Sequence, residues 1–269
     1  MDTLGLQTGL PNLDDLISGL MPGQLYVIAS RPWMGKTSFA VNICTNVTMT
    51  TGKTAVIISL ELESERLVNY FLLPNMAHVS REDLHKGKLS AEDLRNVMTA
   101  KENIERRIFI EDSVYTTVSE IMAQCRSVED LGLVVIDYLQ LVYDACQSKE
   151  KKELIFGEIA QSLKTIAVKL NVPVILLSQG SRATEHRSDK HPLLTDLLHS
   201  DAIVHVSDVI LALYRESYYN KECEDPNDTE VIVLKNRNGE TGTVHLRFVP
   251  EYNSYLPIES KKTKKASAL

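Results

Sequence analysis

Hydrophobic and polar positions alternate along the chain in blocks that predict strands and helices in turn. Short apolar runs, typical of strands buried in a parallel sheet, are separated by segments whose apolar residues recur every three or four positions. The predicted strands are 25–29, 53–61, 107–112, 133–141, 174–179, 208–214, 230–235 and 243–249. The last one alternates apolar and polar residues after the turn NRNGETG, as an antiparallel edge strand does. The pattern predicts an α/β fold: a mostly parallel twisted sheet covered by helices, with an antiparallel C-terminal hairpin.

Helical segments are predicted between these strands. They lie around 13–17, 39–47, 63–106, 118–128 and 155–170. Within the third segment, Ser80 stands three residues before Asp83 and is expected to cap a helix. The lysine-rich stretch 149–152 and the polar stretch 180–192 are expected to be loops.

The stretch VIASRPWMGKTS, residues 27–38, is the centre of the chain's chemistry. A strand, a loop ending in Gly35-Lys36-Thr37 and an amphipathic helix follow one another, which is the order of a phosphate-binding loop. Backbone N–H groups at the helix start would hold phosphates, Lys36 would reach the β- and γ-phosphates, and the Thr37 hydroxyl would bind Mg²⁺. Ser30 stands where the usual motif has its first glycine. The expected nucleotide-binding residues are Ser30, Arg31, Met34, Gly35, Lys36, Thr37 and Ser38.

Three further polar residues stand at the ends of predicted strands. In such sheets, active-site groups gather at the carboxyl ends of the strands. Asp137 follows four apolar residues and is expected to hold Mg²⁺ opposite Thr37. Glu61 is expected to act as the general base on the attacking water, and Gln179 to sense the γ-phosphate. Together these groups indicate nucleotide hydrolysis.

Lys235 and Arg237 lie near the end of a late strand, in LKNRNG. Side chains two apart on an extended segment point the same way, so both could approach one phosphate. They are expected to act as catalytic fingers that complete the site of a neighbouring subunit. A solvated hairpin is the alternative interpretation.

Composition limits the remaining possibilities. The 269 residues carry a net charge of −7 and are 43% hydrophobic, which suits one large globular domain and does not indicate a strongly basic nucleic-acid binder. Four cysteines stand far apart, as in a reduced cytoplasmic protein. No stretch has the length and apolarity of a membrane span. We expect one ATPase domain over residues 1–258 and a basic, disordered tail over 259–269.

The motifs together resemble the ATPase domain of the DnaB-type replicative helicases, which has a RecA-like P-loop NTPase fold. The resemblance covers nearly the whole chain and is carried by the GKT loop and by SLE, GKLSAEDL, IDYLQL, VPVILLSQ, YRESYYNK and the K-x-RNG segment. It implies a hexameric ring that hydrolyses ATP with Mg²⁺ to move along single-stranded DNA, and it assigns family roles to Lys36, Thr37, Glu61, Asp137, Gln179, Lys235 and Arg237. A helicase loader or a primase would be a further partner.

The sequence departs from the family pattern at three places. Leu198, His199 and Asp201 stand where the family has an Arg, a Glu and a Gly that touch the DNA backbone. Trp33 replaces a small residue of the phosphate loop, and Tyr70 stands where the family usually has Arg. Replacing a cation by an apolar residue and a glycine by an anion predicts weaker DNA binding.

Other basic residues are the remaining candidates for DNA contact. They are Arg182, Arg187, Lys190 and the cluster that begins at Lys149. Two other functions stay open: a helicase-like protein that binds ATP for assembly or regulation without gripping DNA, and a RecA-like recombinase. A monomeric small-molecule kinase would have no need of Lys235 and Arg237.

Overall fold

The computed structural model describes residues 5–113, 116–137, 149–197, 200–258 and 264–265. One mixed sheet runs through them, in the strand order β10-β8-β7-β6-β1-β5-β4-β2-β3, with β9 paired to β8. The strands are β1 (Leu25–Ser30), β2 (Thr54–Ser59), β3 (Ile108–Glu111), β4 (Leu131–Asp137), β5 (Val174–Gln179), β6 (Val209–Tyr214), β7 (Asp228–Asn236), β8 (Gly242–Val249), β9 (Ser254–Pro257) and β10 (Lys264–Lys265). Strands β3, β2, β4, β5, β1 and β6 are parallel, and β7 to β10 join antiparallel.

Helices cover both faces of this sheet. They are α1 (Pro11–Ile17), α2 (Lys36–Thr51), α3 (Ser64–Leu67), α4 (Leu73–Ala77), α5 (Arg81–Lys86), α6 (Ala91–Arg107), α7 (Val118–Ser127), α8 (Lys149–Leu170), α9 (Ser200–Val206) and α10 (Glu216–Tyr219). Alternate residues of β1 face opposite cores: Tyr26 and Ile28 pack with α1 and α2, and Leu25 and Val27 pack with α7 and α8. All six residues of β1 are buried, which explains why its sequence is a continuous apolar run.

The predicted α/β class and its strands are confirmed, including the antiparallel hairpin of β7 and β8. The helical segment 63–106 is also confirmed, but it is divided into four helices, with a π-helical turn (Val68–Leu72) between α3 and α4. Ser80 caps α5 as expected, because its hydroxyl accepts a hydrogen bond from the Asp83 N–H at 3.0 Å. Residues 138–141, expected to continue β4, lie outside the described part of the chain.

One expectation about local structure is wrong, and two elements stand where the sequence predicted none. Lys149 to Lys152 belong to α8 and not to a loop before it. The stretch 180–192 contains a 3₁₀-helical turn, Arg182–His186. Strand β9 has no counterpart in the prediction, because its four residues follow β8 closely and carry no clear alternation of their own. In the expected tail, Lys264 and Lys265 pair with β8 as β10, while 259–263 and 266–269 are outside the described residues.

Candidate functional site

The phosphate-binding loop lies between β1 and α2, at the carboxyl edge of the sheet. Gly35 ends the loop with φ 91°, a conformation that favours glycine, and a Cβ there would collide with the Tyr255 hydroxyl. That hydroxyl donates to the Gly35 carbonyl at 3.1 Å, and Tyr255 itself is buried on β9. The loop is therefore supported from below by the strand that the sequence did not reveal.

Thr37, in the first turn of α2, contacts Asp137, at the end of β4. The Thr37 hydroxyl donates to Asp137 Oδ2 at 2.7 Å, although the two residues are 100 positions apart. Asp137 is only 3% exposed, and its Oδ1 is buried without a hydrogen-bond partner among the described residues. An unsatisfied buried carboxylate oxygen beside a hydroxyl offers the oxygen donors that Mg²⁺ prefers. The residues present fit a magnesium ion bound jointly by this pair and a nucleotide's phosphates.

Lys36 and Glu61 complete the charged centre. Because β2 and β4 are paired so that Ser59 lies opposite Asp137, Glu61 follows β2 directly beside the aspartate. Lys36 is buried, and this burial lowers its pKa, while the charges of Asp137 and Glu61 oppose that shift. Desolvation raises the pKa of Asp137. The pKa of Glu61 is raised mainly by desolvation and, in addition, by the negative charge of Asp137. Shifts of this kind concentrate at functional sites.

Gln179 lies at the end of β5, opposite Ser30 at the end of β1. The next residue, Gly180, donates its N–H to the Ser30 carbonyl at 2.8 Å, so the phosphate loop and the segment after Gln179 are joined directly. Arg31 strengthens the joint: its Nη1 donates to the Gly180 carbonyl at 2.8 Å and its Nε to Glu185 at 3.0 Å. These bonds hold the phosphate loop and the segment after Gln179 together.

The expected nucleotide-binding residues share one cleft of about 410 Å³, with one exception. The side chain of Met34 is buried in the core instead, so only its backbone could face a ligand. A wider cleft of about 910 Å³ adjoins the first, and Trp33 and Arg81 are among the residues that line both. The expected residues that line the smaller cleft are Ser30, Arg31, Gly35, Lys36, Thr37, Ser38, Glu61 and Gln179.

Sequence reasoning missed an aromatic and cationic pair in the same cleft. The Arg215 guanidinium lies over the Phe248 ring, 4.7 Å from its centroid, and both residues line the cleft. A planar cation stacked on a ring is a surface on which a nucleobase can stack. The only signal is the segment YRESYYNK, in which the pattern gives Arg215 no separate role.

Lys235 and Arg237 lie at the opposite edge of the sheet. Lys235 is opposite Ile210, which is opposite Val27, whereas the phosphate loop begins after Ser30. At ~3.3 Å per residue, Arg237 lies about 17 Å along the strand direction from the loop of its own chain. Lys235 Nζ donates to the Ser207 carbonyl at 2.6 Å, and Arg237 Nη2 to the His205 carbonyl at 2.6 Å. We call Lys235, Arg237 and residues 204–208 the finger edge.

The side chains of Lys235 and Arg237 contact the same segment, residues 204–208, and their role as catalytic fingers stays a prediction. Arg237 also lies 3.5 Å from Asp208 and stays exposed, whereas Lys235 is partly buried, which lowers its pKa. Asp208 is further bound by Lys164 at 2.6 Å. These contacts fix the fingers in place but leave the Arg237 head group open to solvent.

The basic candidates for DNA contact differ in whether their side chains are already bound within the chain. Arg187 forms a two-pronged ion pair with Asp196 at 2.8 and 2.7 Å, and Lys190 donates to the Glu185 carbonyl at 2.7 Å. Arg182 is exposed on the 3₁₀ turn. Lys149 begins α8, but its side chain lies outside the described part, as does that of Asp201 in α9. Leu198 and His199 are outside the described residues altogether.

The other two departures lie at the rim of the clefts. Trp33 is 88% exposed and has φ 68°. Two guanidinium groups lie near the Tyr70 ring: that of Arg66 is 5.8 Å and that of Arg81 is 5.6 Å from its centroid. Two cations therefore stand close to the ring at the place where the resemblance expects an arginine.

Two negative findings apply to the residues that the structure describes. None of their helices is long and apolar enough to cross a membrane. No three or more of their His, Cys, Asp and Glu side chains are grouped so that they could hold a metal ion by themselves.

Comparisons with known proteins agree with this geometry. A family model described as the DnaB-like helicase C terminal domain matches residues 5–256. "Replicative DNA helicase DnaB" of Geobacillus stearothermophilus is 40% identical over 261 residues, which are 96% of this chain and 57% of that protein. The chain thus spans little more than half the length of this relative.

Solved structures give the same result. One of them, the ATPase domain of another protein, superposes with a TM-score of 0.86 at 32% identity, covering 95% of this chain and 92% of the other. A second, "The Structure Of A DnaB-Like Replicative Helicase And Its Interactions With Primase", gives a TM-score of 0.87 at 32% identity and covers 95% of this chain and 62% of that one. The fold is therefore RecA-like, and the chain belongs to the DnaB-like helicase C-terminal domain family.

Proposed function

We propose that this chain is the ATP-hydrolysing motor of a replicative DNA helicase. It would assemble into a ring, with six copies as the expected number, and use ATP and Mg²⁺ to move along single-stranded DNA. The single observation that supports this most is the hydrogen bond of 2.7 Å from Thr37 to Asp137, because Thr37 lines a cleft together with Lys36, Glu61 and Gln179.

The residues divide the work of hydrolysis between them. Backbone N–H groups from Gly35 to Ser38 and the Lys36 ammonium would hold the phosphates, where the helix dipole also favours negative charge. Thr37 and Asp137 would hold Mg²⁺, which when bound offsets phosphate charge. Bound phosphates would also favour the charged form of Lys36, because their negative charge opposes the burial that lowers its pKa.

Glu61 would take the proton from the attacking water. It stands at the mouth of the cleft, and its raised pKa makes it a better proton acceptor than an ordinary surface carboxylate. Gln179 would contact the γ-phosphate, and its joint with Ser30 and Arg31 would pass the loss of that phosphate to residues 180–197. The purine base would stack on the Arg215–Phe248 pair.

Lys235 and Arg237 would act on a neighbouring copy. Along the strand direction, the Arg237 backbone lies about 17 Å and the Lys235 backbone about 10 Å from the phosphate loop of their own chain. Both side chains are bound to residues 204–208 instead, so neither is placed to act in that site. A second copy that brings its finger edge to this cleft would add a guanidinium to the γ-phosphate, which contributes roughly 10³–10⁵ in rate. Hydrolysis would then require assembly.

Partners and place in the cell are further proposals. Single-stranded DNA is the expected ligand of the ring, and a primase or a helicase loader is an expected protein partner. One of the solved structures similar to this chain is that of a DnaB-like replicative helicase and its interactions with primase. A motor of replication would work in the cytoplasm.

A specific observation favours a second candidate, an ATP-binding assembly or regulatory protein with a weak DNA grip. Arg187 and Lys190 are held within the chain by Asp196 and Glu185, so two expected phosphate contacts are already used. The loss of each phosphate contact lowers affinity and flattens its salt dependence.

One experiment separates the two candidates. The ATPase rate per subunit is measured against protein concentration, with and without single-stranded DNA. A motor gives a rate that rises with concentration and again with DNA, whereas the regulatory protein gives the first rise and not the second. A rate per subunit that is the same at every concentration would contradict the trans-acting fingers.

A further inference from the structure

Trp33 combines two features that rarely occur together. It is the chain's single tryptophan and 88% of it is exposed. Its φ of 68° lies in the left-handed region, which is unfavourable for a bulky side chain. Such a conformation persists where surrounding structure or function compensates for it.

The described chain compensates for this conformation in part, because the Met34 N–H donates to the Arg31 carbonyl at 3.3 Å and closes a turn around Pro32 and Trp33. The turn does not cover the indole: Pro32 before it is also exposed, whereas Met34 and Tyr255, which anchor the loop, are buried. An exposed indole leaves on the order of 200 Å² in contact with water, which favours burial against another surface. The residue therefore has the character of an interface anchor, a role in which tryptophan is enriched.

Trp33 lines the nucleotide cleft, but we do not expect the base of a bound nucleotide to stack on it. Trp33 lies two residues before Gly35, at the phosphate end of the cleft, whereas the aromatic and cationic pair for a base is Arg215 and Phe248. Phosphates and Mg²⁺ are strongly hydrated and offer no apolar face. The occupant must instead be a surface with flat, weakly hydrated groups.

The finger edge of a second copy has such groups. The planar guanidinium of Arg237 and the imidazole of His205 are both exposed there. Arginine stacks well on aromatic faces because its charge is delocalised and weakly hydrated. The same edge must reach a neighbour's phosphates if the fingers act in trans, which would bring it to Trp33.

We propose that Trp33 is the contact by which the phosphate loop of one copy packs against the finger edge of a second copy. This inference rests on the proposed ring, and it adds a residue that couples assembly to the conformation of the loop. The indole is exposed in the single chain, so it is available for this contact before a second copy binds.

The single tryptophan makes the test direct. The emission of the full chain and its light scattering are recorded together over a range of protein concentrations, with Mg²⁺ and a non-hydrolysable ATP analogue. We expect emission at the wavelength of a water-exposed indole in dilute protein and a shift to shorter wavelength that follows the rise in scattering. With Arg237→Ala the emission shift should be smaller at equal scattering.

Two variants separate the indole from the backbone. Trp33→Asn keeps a residue that tolerates positive φ but removes the aromatic ring, and Trp33→Phe keeps a ring. We expect Trp33→Asn to raise the concentration at half-maximal scattering by roughly tenfold or more, and Trp33→Phe to raise it by less than about threefold. Circular dichroism checks that both variants are folded.

The possible contrary results have different meanings. Assembly with no emission shift, or equal assembly by Trp33→Asn, overturns the role of Trp33 and leaves the ring intact. A shift that is the same at every protein concentration assigns the indole to its own nucleotide and also overturns the proposal. Scattering that never rises overturns the ring and, with it, this contact.

Discussion

The nucleotide cleft and the finger edge use charge in opposite ways. In the cleft, Lys36 and Asp137 are buried, their pKa values are shifted by desolvation, and one oxygen of Asp137 has no hydrogen-bond partner in the described structure. At the finger edge, Lys235 and Arg237 donate to backbone carbonyls, and the Arg237 head group is exposed.

This difference indicates which half of the site is complete. A buried, unsatisfied carboxylate is unfavourable until a ligand arrives, so the cleft is prepared to bind. The finger edge is stable as it stands and stores no such unfavourable group among the residues described. Under the proposed function it would hold a cation at a fixed place for the site of a neighbouring copy, and assembly would bring the two halves together.

The largest effects should come from breaking the cleft. Lys36→Ala should abolish nucleotide binding or turnover, and Glu61→Gln should keep binding but lower turnover by at least about 10²-fold, because a general base acts on the water and not on affinity. Binding is measured with a fluorescent ATP analogue and turnover by phosphate release. Normal turnover by Glu61→Gln would remove Glu61 from the role of base.

Removing the Arg237 guanidinium from the finger edge should lower turnover almost as much, but mixing with a second mutant should restore part of it. Arg237→Ala should fold, bind ATP and hydrolyse it roughly 10³-fold more slowly or worse. Mixing it with Lys36→Ala should restore part of the activity, because some interfaces then pair an intact loop with an intact finger. Each mutant mixed with wild-type chain is the control, and a mixture no faster than the two mutants alone would contradict action in trans.

The two regions were not equally visible in the sequence. The parallel strands were predicted because burial on both faces leaves continuous apolar runs, and their ends then placed Glu61, Asp137 and Gln179 together. The position of Lys235 and Arg237 relative to their own loop required the pairing of β6 with β7, which no local pattern encodes. The support of the loop by β9 was hidden for the same reason: the hydrogen bond joins residues 220 positions apart.

As the pH falls, protonation of Glu61 should slow hydrolysis at a higher pH than the one at which an ordinary carboxylate is protonated. A base must be ionised to accept a proton, so turnover is lost as the pH falls through its pKa, about tenfold per unit below it. Because desolvation and Asp137 raise that pKa, the loss should begin above the usual value of 4.5. The pH profile of kcat measures this, and Glu61→Gln should lack that limb at its lower rate.

The stacked pair in the cleft should contribute moderately to affinity. Phe248→Ala removes the ring beneath Arg215 and should weaken ATP binding by about tenfold, which corresponds to ~1.4 kcal/mol. Phe248→Tyr keeps the ring and serves as the matched control. Turnover at saturating ATP should change little, so a fall in kcat with unchanged KM would place the pair in catalysis instead of base binding.

The smallest effect should be on DNA affinity, which depends on residues outside both the nucleotide cleft and the finger edge. Arg187 and Lys190 are bound within the chain, and Leu198 and Asp201 replace a cation and a glycine of the family, so we expect the chain to bind single-stranded DNA weakly. Leu198→Arg with Asp201→Gly adds one phosphate contact, which should tighten binding and steepen its log–log salt dependence by about 0.7 for a single strand.

Arg182→Ala is the complementary change: it removes an exposed cation and should flatten the slope by a similar amount if that residue contacts DNA. Fluorescence anisotropy of a labelled oligonucleotide at several salt concentrations measures both. If the double variant binds no better than the parent while its ATPase still depends on assembly, the cleft and the finger edge work together without this loop as a DNA grip, which favours the regulatory protein.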